Sequence, residues 1–324
     1  MGVLKIEVYC LGEILVDIIP CFTGPYSLNG KFTVHFGGAP ANVAIGISRL
    51  KHKSGMVGAI GDDVFGEFLI RTLRENSVDT RNVVVKKART TLAFVTLKES
   101  GEKEFFFSRK PWMKTADTEL SIDDINLEYL KDARVLHFSG FAFSHPPASK
   151  VFSQILREFS KHACISYDPN FRLDVWKTKD KARNVLNEHL SYINFLSMGF
   201  DELEALFPNE NYRNVSEKLL EKYGNLEAIA IRLGEKGAYV RTRKEEVELP
   251  PPKVSVVDTT GAGDAWTAGF IVSYFLEGMN LADAVMFSNT VAAITCTRHG
   301  AIAAFPFREE VKDKIKETLK KQQC

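Results

Sequence analysis

The sequence of 324 residues lacks the features that mark several classes of protein. No apolar run approaches the roughly 20 residues that a helix needs to cross a bilayer. Residues 1–15 alternate charged and apolar side chains instead of forming a secretion signal. Neither sign of charge dominates, since there are 42 basic and 41 acidic residues, which argues against nucleic acid or an acidic membrane as the main partner. We expect a soluble, cytoplasmic protein.

Cysteine is also scarce, and its spacing is irregular. The five cysteines are Cys10, Cys21, Cys164, Cys296 and Cys324. They contain no Cys-x-x-Cys pair, which favours reduced thiols over a disulfide framework or a zinc site. No internal repeat or low-complexity linker divides the chain, so residues 1–324 are expected to form one large α/β domain, or one such domain with a small appendage.

Strand and helix patterns alternate regularly from residue 133 onward. The predicted strands are 134–138, 164–167, 192–196, 228–231 and 238–241. The predicted helices are 146–161, 179–189, 201–207, 215–223, 264–277, 281–297 and 309–321. Strands separated by helices indicate a mostly parallel sheet covered on both faces, with ligands at the carboxyl ends of its strands.

A second, smaller sheet is predicted from two segments, approximately 14–36 and 88–110. The first contains extended pieces, and the second has the pattern of a hairpin whose strands are 91–97 and 104–108. Such a sheet can act as a lid that closes over a site and excludes water.

The stretch from Asp258 to Asp264, DTTGAGD, is the centre of the functional argument. It follows an extended run at 254–257 and opens an apolar helix. Unpaired N–H groups and the helix dipole favour an anion there, and glycines let it approach the backbone. Because Asp264 would repel that anion, its obvious task is to take a proton from a nearby hydroxyl.

The alternative for an isolated GxGD is a plain turn followed by a helix-capping acid. Two better-known phosphate motifs do not fit this stretch. A Walker A loop would end in Gly-Lys-Ser or Gly-Lys-Thr, and the third glycine of a dinucleotide fingerprint falls too late, at Gly269.

Other polar residues stand out against apolar neighbours. Asp17 lies inside ILVDII and needs a partner such as a ligand hydroxyl, unless it faces solvent from an edge strand. Asn42 follows Gly37-Gly38 in the first turns of a predicted helix, where its amide can bind hydroxyls. Asp62 or Asp63 is expected to cap the helix that ends at Glu75.

Two distant segments together resemble the signature motifs of the ribokinase-like (PfkB) carbohydrate kinase family: GGAPANVAIGISRL at 37–50 and DTTGAGDAWTAGF at 258–270. Three further segments resemble that family in its order: GAIGDDVFG at 58–66, DPNFR at 168–172 and RLGEKGAYV at 232–240. The resemblance implies a three-layer αβα fold with a mostly parallel central sheet and a β-sheet lid. It also implies ATP as phosphoryl donor, Mg²⁺, and a sugar or nucleoside hydroxyl as acceptor.

The resemblance assigns roles to the matching residues. The anion-binding loop and catalytic base are Gly261, Ala262, Gly263 and Asp264. The sugar-binding positions are Asp17, Gly37, Gly38 and Asn42. The cofactor-binding positions are Gly234, Gly237, Asn289 and Thr260. Many members bind a monovalent cation such as K⁺, and Asp258 and Thr260, with the turn at 297–301, fall in that neighbourhood.

One departure concerns the Asn-x-x-Glu motif that serves the Mg²⁺ and phosphate network of the family. The matching run is Gly199-Phe200-Asp201-Glu202, so the glutamate is present and the asparagine is replaced. We expect Glu202 to act on Mg²⁺ indirectly, through water, and the sensitivity to metal or phosphate to be altered. An ordinary acid in the first turn of a helix is the alternative for Glu202.

The substrate is expected to be fructose, phosphorylated to fructose 6-phosphate, because GEILVD, GGAPANVA, EFFFSR and DPNFRLDVW look most like fructokinases. Kinases of 2-keto-3-deoxygluconate share DPN-x-R and bind a carboxylate with arginines, for which Arg109 and Arg172 are the candidates. Trp112 departs from fructokinases and is expected to reshape the pocket edge.

Two further expectations come from the same resemblance. Lids of this family commonly pair, so the phenylalanines at 32–36 and 105–107 suit either a homodimer contact or the lining of the sugar pocket. A sugar-sensing protein that has lost catalysis is the alternative of another class, against which the intact loop and Asp264 argue.

Overall fold

The computed structural model describes residues 5–26, 28–99 and 103–322. The strands are β1 (Val8–Leu11), β2 (Leu15–Pro20), β3 (Phe32–Gly37), β4 (Ser54–Gly61), β5 (Asp79–Lys86), β6 (Leu92–Leu97), β7 (Lys103–Ser108), β8 (Val135–Ser139), β9 (Cys164–Asp168), β10 (Phe195–Gly199), β11 (Ala228–Arg232), β12 (Ala238–Thr242) and β13 (Glu246–Leu249). The helices are α1 (Ala39–Arg49), α2 (Val64–Glu75), α3 (Ala148–Phe159), α4 (Leu173–Trp176), α5 (Lys179–His189), α6 (Phe200–Leu206), α7 (Tyr212–Lys222), α8 (Ala262–Phe270), α9 (Leu281–Thr295) and α10 (Arg308–Gln322).

Nine of these strands form one large sheet in the order β13-β12-β11-β10-β9-β8-β1-β4-β5. Pairing is parallel from β11 to β5, and β12 and β13 add to one edge antiparallel. Successive residues of β1 enter two different apolar clusters, Val8 and Cys10 one and Tyr9 and Leu11 the other. Side chains alternate across a strand, so the two clusters lie on opposite faces of the sheet and helices cover both faces. The predicted mostly parallel three-layer fold is confirmed.

The smaller sheet has the order β3-β2-β6-β7. Its strands β6 and β7 form the predicted hairpin, whose turn at 100–102 lies outside the described residues. Side chains alternate between the two faces of this sheet. On β7, Phe107 is buried on one face, and Phe106 is 47% exposed on the other. We call this four-stranded sheet the lid.

Some predicted elements differ from the observed ones. Strand β10 begins at Phe195 and not at 192, because Tyr192 still lies in the turn after α5, where its N–H donates to His189 O. The run 254–257 forms no strand, and its Val257 N–H donates to Cys296 O. Strand β13 was not predicted, because its EVEL sequence alternates on an exposed edge.

Other predictions are confirmed. Asp63 caps α2, where its Oδ1 accepts a hydrogen bond of 3.0 Å from Gly66 N. The helix after DTTGAGD begins at Ala262, two residues earlier than predicted, and continues from α8 into a π-helical segment, Ile271–Leu276. In the described ranges no helix is long and apolar enough to cross a membrane.

Candidate active site

A cavity of about 990 Å³ lies between the lid and the carboxyl ends of the central strands. The lid contributes Asp17 of β2 and Phe105 and Phe107 of β7. The central sheet contributes the last residues of three neighbouring strands, which are Asp168, Gly199 and Arg232. The start of α8 closes the floor with residues 259–264. Position and lining agree with the rule that parallel sheets bind ligands at the carboxyl ends of their strands.

The tip of α8 is built on glycine. Gly261 is the N-cap and has a left-handed φ of 77°, which disfavours any residue with a Cβ. A Cβ there would also lie 2.8 Å from the Cβ of Ala301. Ala262 and Gly263 follow in the first turn and line the cavity. First-turn N–H groups have no partner within their own helix, so this tip can bind an anion.

Asp264 is positioned by a residue from the other end of the chain. Its Oδ2 accepts a hydrogen bond of 2.8 Å from Nδ2 of Asn42. Burial raises the pKa of Asp264 to about 7, and the charge of Asp168 adds to this rise. The hydrogen bond from Asn42 and the charges of Arg232 and Arg172 oppose the rise. The carboxylate still borders the cavity, so a substrate hydroxyl can reach it. A carboxylate with a pKa near neutrality suits a general base.

The expected sugar-binding residues come together at the lid side of Asp264. Asp17, Gly38, Asn42 and Arg172 all line the cavity. Oδ1 of Asn42 is buried and accepts no hydrogen bond from the described residues, so a ligand hydroxyl can supply one. Gly37 does not line the cavity. It makes room for Asp17, because a Cβ at residue 37 would lie 2.5 Å from Oδ2 of that carboxylate.

Glu13 is a site residue that sequence reasoning missed. Its Oε1 accepts hydrogen bonds from Ala39 N, Ser139 Oγ and Asn170 Nδ2 at 3.1–3.2 Å. Oε2 is buried and accepts no hydrogen bond within the described ranges. Burial raises the pKa of Glu13 to about 7. The hydrogen bonds make Glu13 a junction of three loops around the cavity. The available sequence signal was an acid directly before the apolar run ILVDII.

Arg109 requires a correction, because the structure does not bring it to the cavity. Its guanidinium is 1% exposed and donates from Nε to Oδ2 of Asp117 at 2.6 Å and from Nη1 to Oγ of Ser144 at 2.7 Å. It also lies over the ring of Phe141. These contacts make Arg109 a buried structural residue and not a sugar ligand.

Trp112 likewise does not line the cavity. Its side chain is 66% exposed, and Nζ of Lys177 lies 3.4 Å from its ring centroid. The expectation that Trp112 reshapes the pocket edge is therefore wrong.

Glu202 is held by three donors near the anion-binding tip. Phe171 N donates to Oε1 at 2.8 Å, and Gly199 N donates to Oε2 at 2.7 Å. Nη2 of Arg232 contacts the same Oε2 at 3.3 Å. Burial, followed by the charge of Asp168, raises the pKa of Glu202, and Arg232 opposes both. Both oxygens are engaged, which fits an indirect role toward a metal.

Protein side chains alone do not form a metal cage in the described residues, since no three acids, histidines or cysteines cluster for that purpose. Mg²⁺ is commonly held by one or two carboxylates together with phosphates and waters, so this arrangement fits a metal that arrives with a nucleotide.

The expected nucleotide positions surround the other end of the cavity. Gly234 and Gly237 line it with φ values of 60° and 91°, and a Cβ at residue 237 would lie 2.0 Å from Leu249 O. Asn289 also lines it, accepting from Trp266 Nε1 and donating to Leu249 O. Its amide thus connects α8 and α9 with the end of β13.

Thr260 lines the cavity, whereas Asp258 lies behind it. Oδ1 of Asp258 accepts from N and Oγ1 of Thr260, and Oδ2 accepts from Gly300 N at 2.9 Å. Asp258 therefore joins the loop before α8 to the turn that was expected to hold a monovalent cation.

Comparisons with known proteins agree with this geometry. The model of the pfkB family carbohydrate kinases matches residues 5–308. The chain belongs to this family. A relative named probable fructokinase-3, from Arabidopsis thaliana, is 35% identical over 321 residues, covering 96% of this chain and 92% of its own length.

Two solved structures match nearly the whole chain. Fructokinase with bound ATP from Xylella fastidiosa is 27% identical, with a TM-score of 0.85, and 97% of this chain and 99% of that one are covered. A double mutant of fructokinase from Vibrio cholerae O395, in a form with fructose, ADP and potassium ion bound, is 26% identical with a TM-score of 0.83. It covers 95% of this chain and 98% of its own. The protein is thus a carbohydrate kinase.

Proposed function

We propose that this pfkB carbohydrate kinase transfers the γ-phosphate of ATP to a primary hydroxyl of fructose and forms fructose 6-phosphate. The observation that carries the proposal is the Asp264 carboxylate, held by Asn42 at the N-terminus of α8 and open to the cavity. A base and an anion-binding helix tip in one turn suit phosphoryl transfer to an alcohol.

Asp264 takes the proton of the attacking hydroxyl. Asn42 holds one carboxylate oxygen, which leaves the other directed to the substrate. The pKa of about 7 keeps the group partly ionised at neutral pH and basic enough to accept a proton. The loss of activity at acid pH is therefore expected to follow the protonation of this group.

The N–H groups at the tip of α8 bind the phosphoryl group and stabilise its charge as it moves. Mg²⁺ supplies additional positive charge on the phosphates, and Glu202 and Asp168 would hold it through water. The turn from β11 to β12, with Gly234 and Gly237, accommodates the rest of the nucleotide because its backbone carries no side chain there.

A neutral ketose fits the lid end of the cavity better than a sugar acid. Kinases of sugar acids need cations for the carboxylate, and Arg109 is unavailable because Asp117 and Ser144 hold it. Arg172 is the remaining arginine in the cavity lining, which also contains Asp17 and Glu13. Carboxylates accept hydrogen bonds from sugar hydroxyls but repel a second carboxylate.

The outer face of the lid supports a homodimer. Ile18, Val34, Phe94 and Phe106 form one apolar row across all four strands, because they are register partners on successive strands. Val34 is 52% exposed, and the ring of Phe106 stacks on that of Phe94 at 4.8 Å. An exposed apolar row on a sheet face is a candidate contact between subunits.

The four cysteines in the described part of the chain, Cys10, Cys21, Cys164 and Cys296, form no disulfide. This supports the proposal that the enzyme works in a reducing compartment such as the cytoplasm.

The substrate proposal is tested by an ADP-release assay with fructose, 2-keto-3-deoxygluconate, ribose and adenosine. We expect fructose to have the highest kcat/KM. Asp17→Asn should raise the KM for fructose more than the KM for ATP, because its carboxylate lies at the lid end. Faster turnover of the sugar acid would reject fructose but not the family, and binding without turnover of any sugar would point to a sensor.

Asp264→Asn should lower kcat about 100- to 10,000-fold while nucleotide affinity is retained. The variant should also unfold at a higher temperature at pH 8. Because the native pKa of Asp264 lies above 3.8, its ionisation destabilises the folded state as pH rises, so the gain should shrink as pH falls from 8 towards 4. Asp62→Asn, an exposed acid outside the cavity, is the control. An unchanged kcat would assign the proton transfer to another group.

The dimer proposal is tested by light scattering after size exclusion. The wild-type protein should have twice the monomer mass, and Phe106→Lys or Val34→Lys should give monomers, since a lysine cannot be buried without a partner. Val64→Lys, at a residue 73% exposed on α2, is the matched control. A monomeric wild-type protein would refute the lid contact.

A K⁺ ion beside the Asp258–Thr260 loop is the last part of the proposal, supported by the potassium-bound relative. Replacing KCl by tetramethylammonium chloride at equal ionic strength should lower kcat at least several-fold, because a fixed cation steadies the anion-binding tip. Equal rates in both salts would remove the cation from the mechanism.

A further inference from the structure

Arg232 and Gly199 form a matched pair at the edge of the cavity. They are the last residues of the parallel strands β11 and β10, and they are register partners. Side chains of register partners project to the same side of a sheet. A Cβ at Gly199 would lie 3.4 Å from Oε2 of Glu202, the oxygen that Arg232 also contacts. Gly199 replaces the asparagine of the family motif, and no role was predicted for Arg232 from the sequence.

One side of the Arg232 guanidinium is fixed by four neighbours. Nη1 donates to Oδ2 of Asp168 at 2.7 Å and contacts the hydroxyls of Ser197 and Thr267 at 2.6 and 3.1 Å. Nη2 contacts Glu202 at 3.3 Å. The side chain is 15% exposed. A planar guanidinium held at several points has one orientation, unlike a flexible lysine.

The guanidinium also packs on the first turn of α8. A Cβ built on Gly263 would lie 3.3 Å from Nε, 3.6 Å from Cζ and 3.7 Å from Nη2 of Arg232, so the glycine leaves room for the face of the guanidinium. Nε donates to no acceptor among residues 5–26, 28–99 and 103–322. Arg232 and Gly263 both line the cavity. Arg232 therefore holds Nε as a fixed and unused donor beside the place where the helix tip would receive an anion.

The charge balance limits what Arg232 can do. Burial lowers the pKa of Arg232, but Asp168 and Glu202 outweigh burial and raise it, so the guanidinium stays charged. The same two carboxylates offset its charge. Arg232 therefore contributes to binding through the fixed direction of its N–H groups more than through long-range attraction. Its expected contribution to affinity is that of one charge-assisted hydrogen bond.

We propose that the Nε–Nη2 edge of Arg232 binds the terminal phosphate of the nucleotide at the tip of α8. The inference rests on the proposed phosphoryl transfer and adds a residue to it. By the same contacts Arg232 positions Asp168 and Glu202, so one side chain connects the phosphate to the acids that act on the metal.

The test compares two nucleotides that differ in the terminal phosphate. Calorimetry measures the affinity for ADP and for AMP-PNP, a non-hydrolysable ATP analogue, each with Mg²⁺. Arg232→Met should weaken the binding of AMP-PNP about 10- to 100-fold and the binding of ADP less than about threefold. Arg232→Lys keeps a cation for Asp168 and should fold normally. It should still weaken the binding of AMP-PNP about tenfold, because one ammonium group cannot bind Asp168 and the phosphate at the same time.

Arg241→Met is the matched control, because Arg241 on β12 pairs with Glu217 and Glu246 and does not line the cavity. It should change neither affinity. Thermal unfolding of every variant checks the fold.

Equal weakening of AMP-PNP and ADP, or no weakening by either Arg232 variant, would overturn the proposal and leave Arg232 a structural residue. If the wild-type protein phosphorylates no sugar, the proposed function fails, whereas the difference between the two nucleotides still decides the role of Arg232.

Discussion

The hydrogen bond between Asn42 and Asp264 joins two helices whose residues are 222 positions apart in sequence. Helix α1 carries the residues next to the lid, and α8 carries the anion-binding tip. The two helices can approach because Gly46 of α1 leaves room for Ala268 of α8, whose Cβ would lie 2.8 Å from a Cβ at Gly46. Close packing of small residues therefore sets the distance between Asn42 and the tip of α8, which in the proposed mechanism is the distance between the sugar and the phosphate.

The cavity lining concentrates negative charge at buried positions, where a charged carboxylate is unfavourable. Glu13, Asp168, Glu202 and Asp264 all lie around one cavity, and burial raises the pKa of three of them. Backbone N–H groups, Asn42 and the guanidinium of Arg232 offset part of that cost. The polar network is held by strand ends and helix tips, which are more rigid than loops, so the charges stay in place before a ligand binds.

The sequence was sufficient for most strands and helices, though not for β13, and for the helix tip, because periodicity and glycine placement are local signals. It was insufficient for the arginines. Arg109 and Arg232 both stand at or just after the end of a strand, and which of them reaches the cavity depends on distant partners. Asp117 and Ser144 hold Arg109 inside the protein, while Asp168 and Glu202 hold Arg232 at the cavity edge. Such pairings are tertiary and leave no local pattern.

The lid shows how one period-two pattern can serve two purposes. Along β7, Phe105 and Phe107 line the cavity and Phe106 lies on the outer face. Along β2, Asp17 belongs to the inner face and Ile18 to the outer row. Any contact that fixes the outer face of the lid also fixes the direction of Asp17. In the proposed dimer, association of subunits and binding of the sugar would be coupled through single strands, because a strand cannot rotate one face without rotating the other.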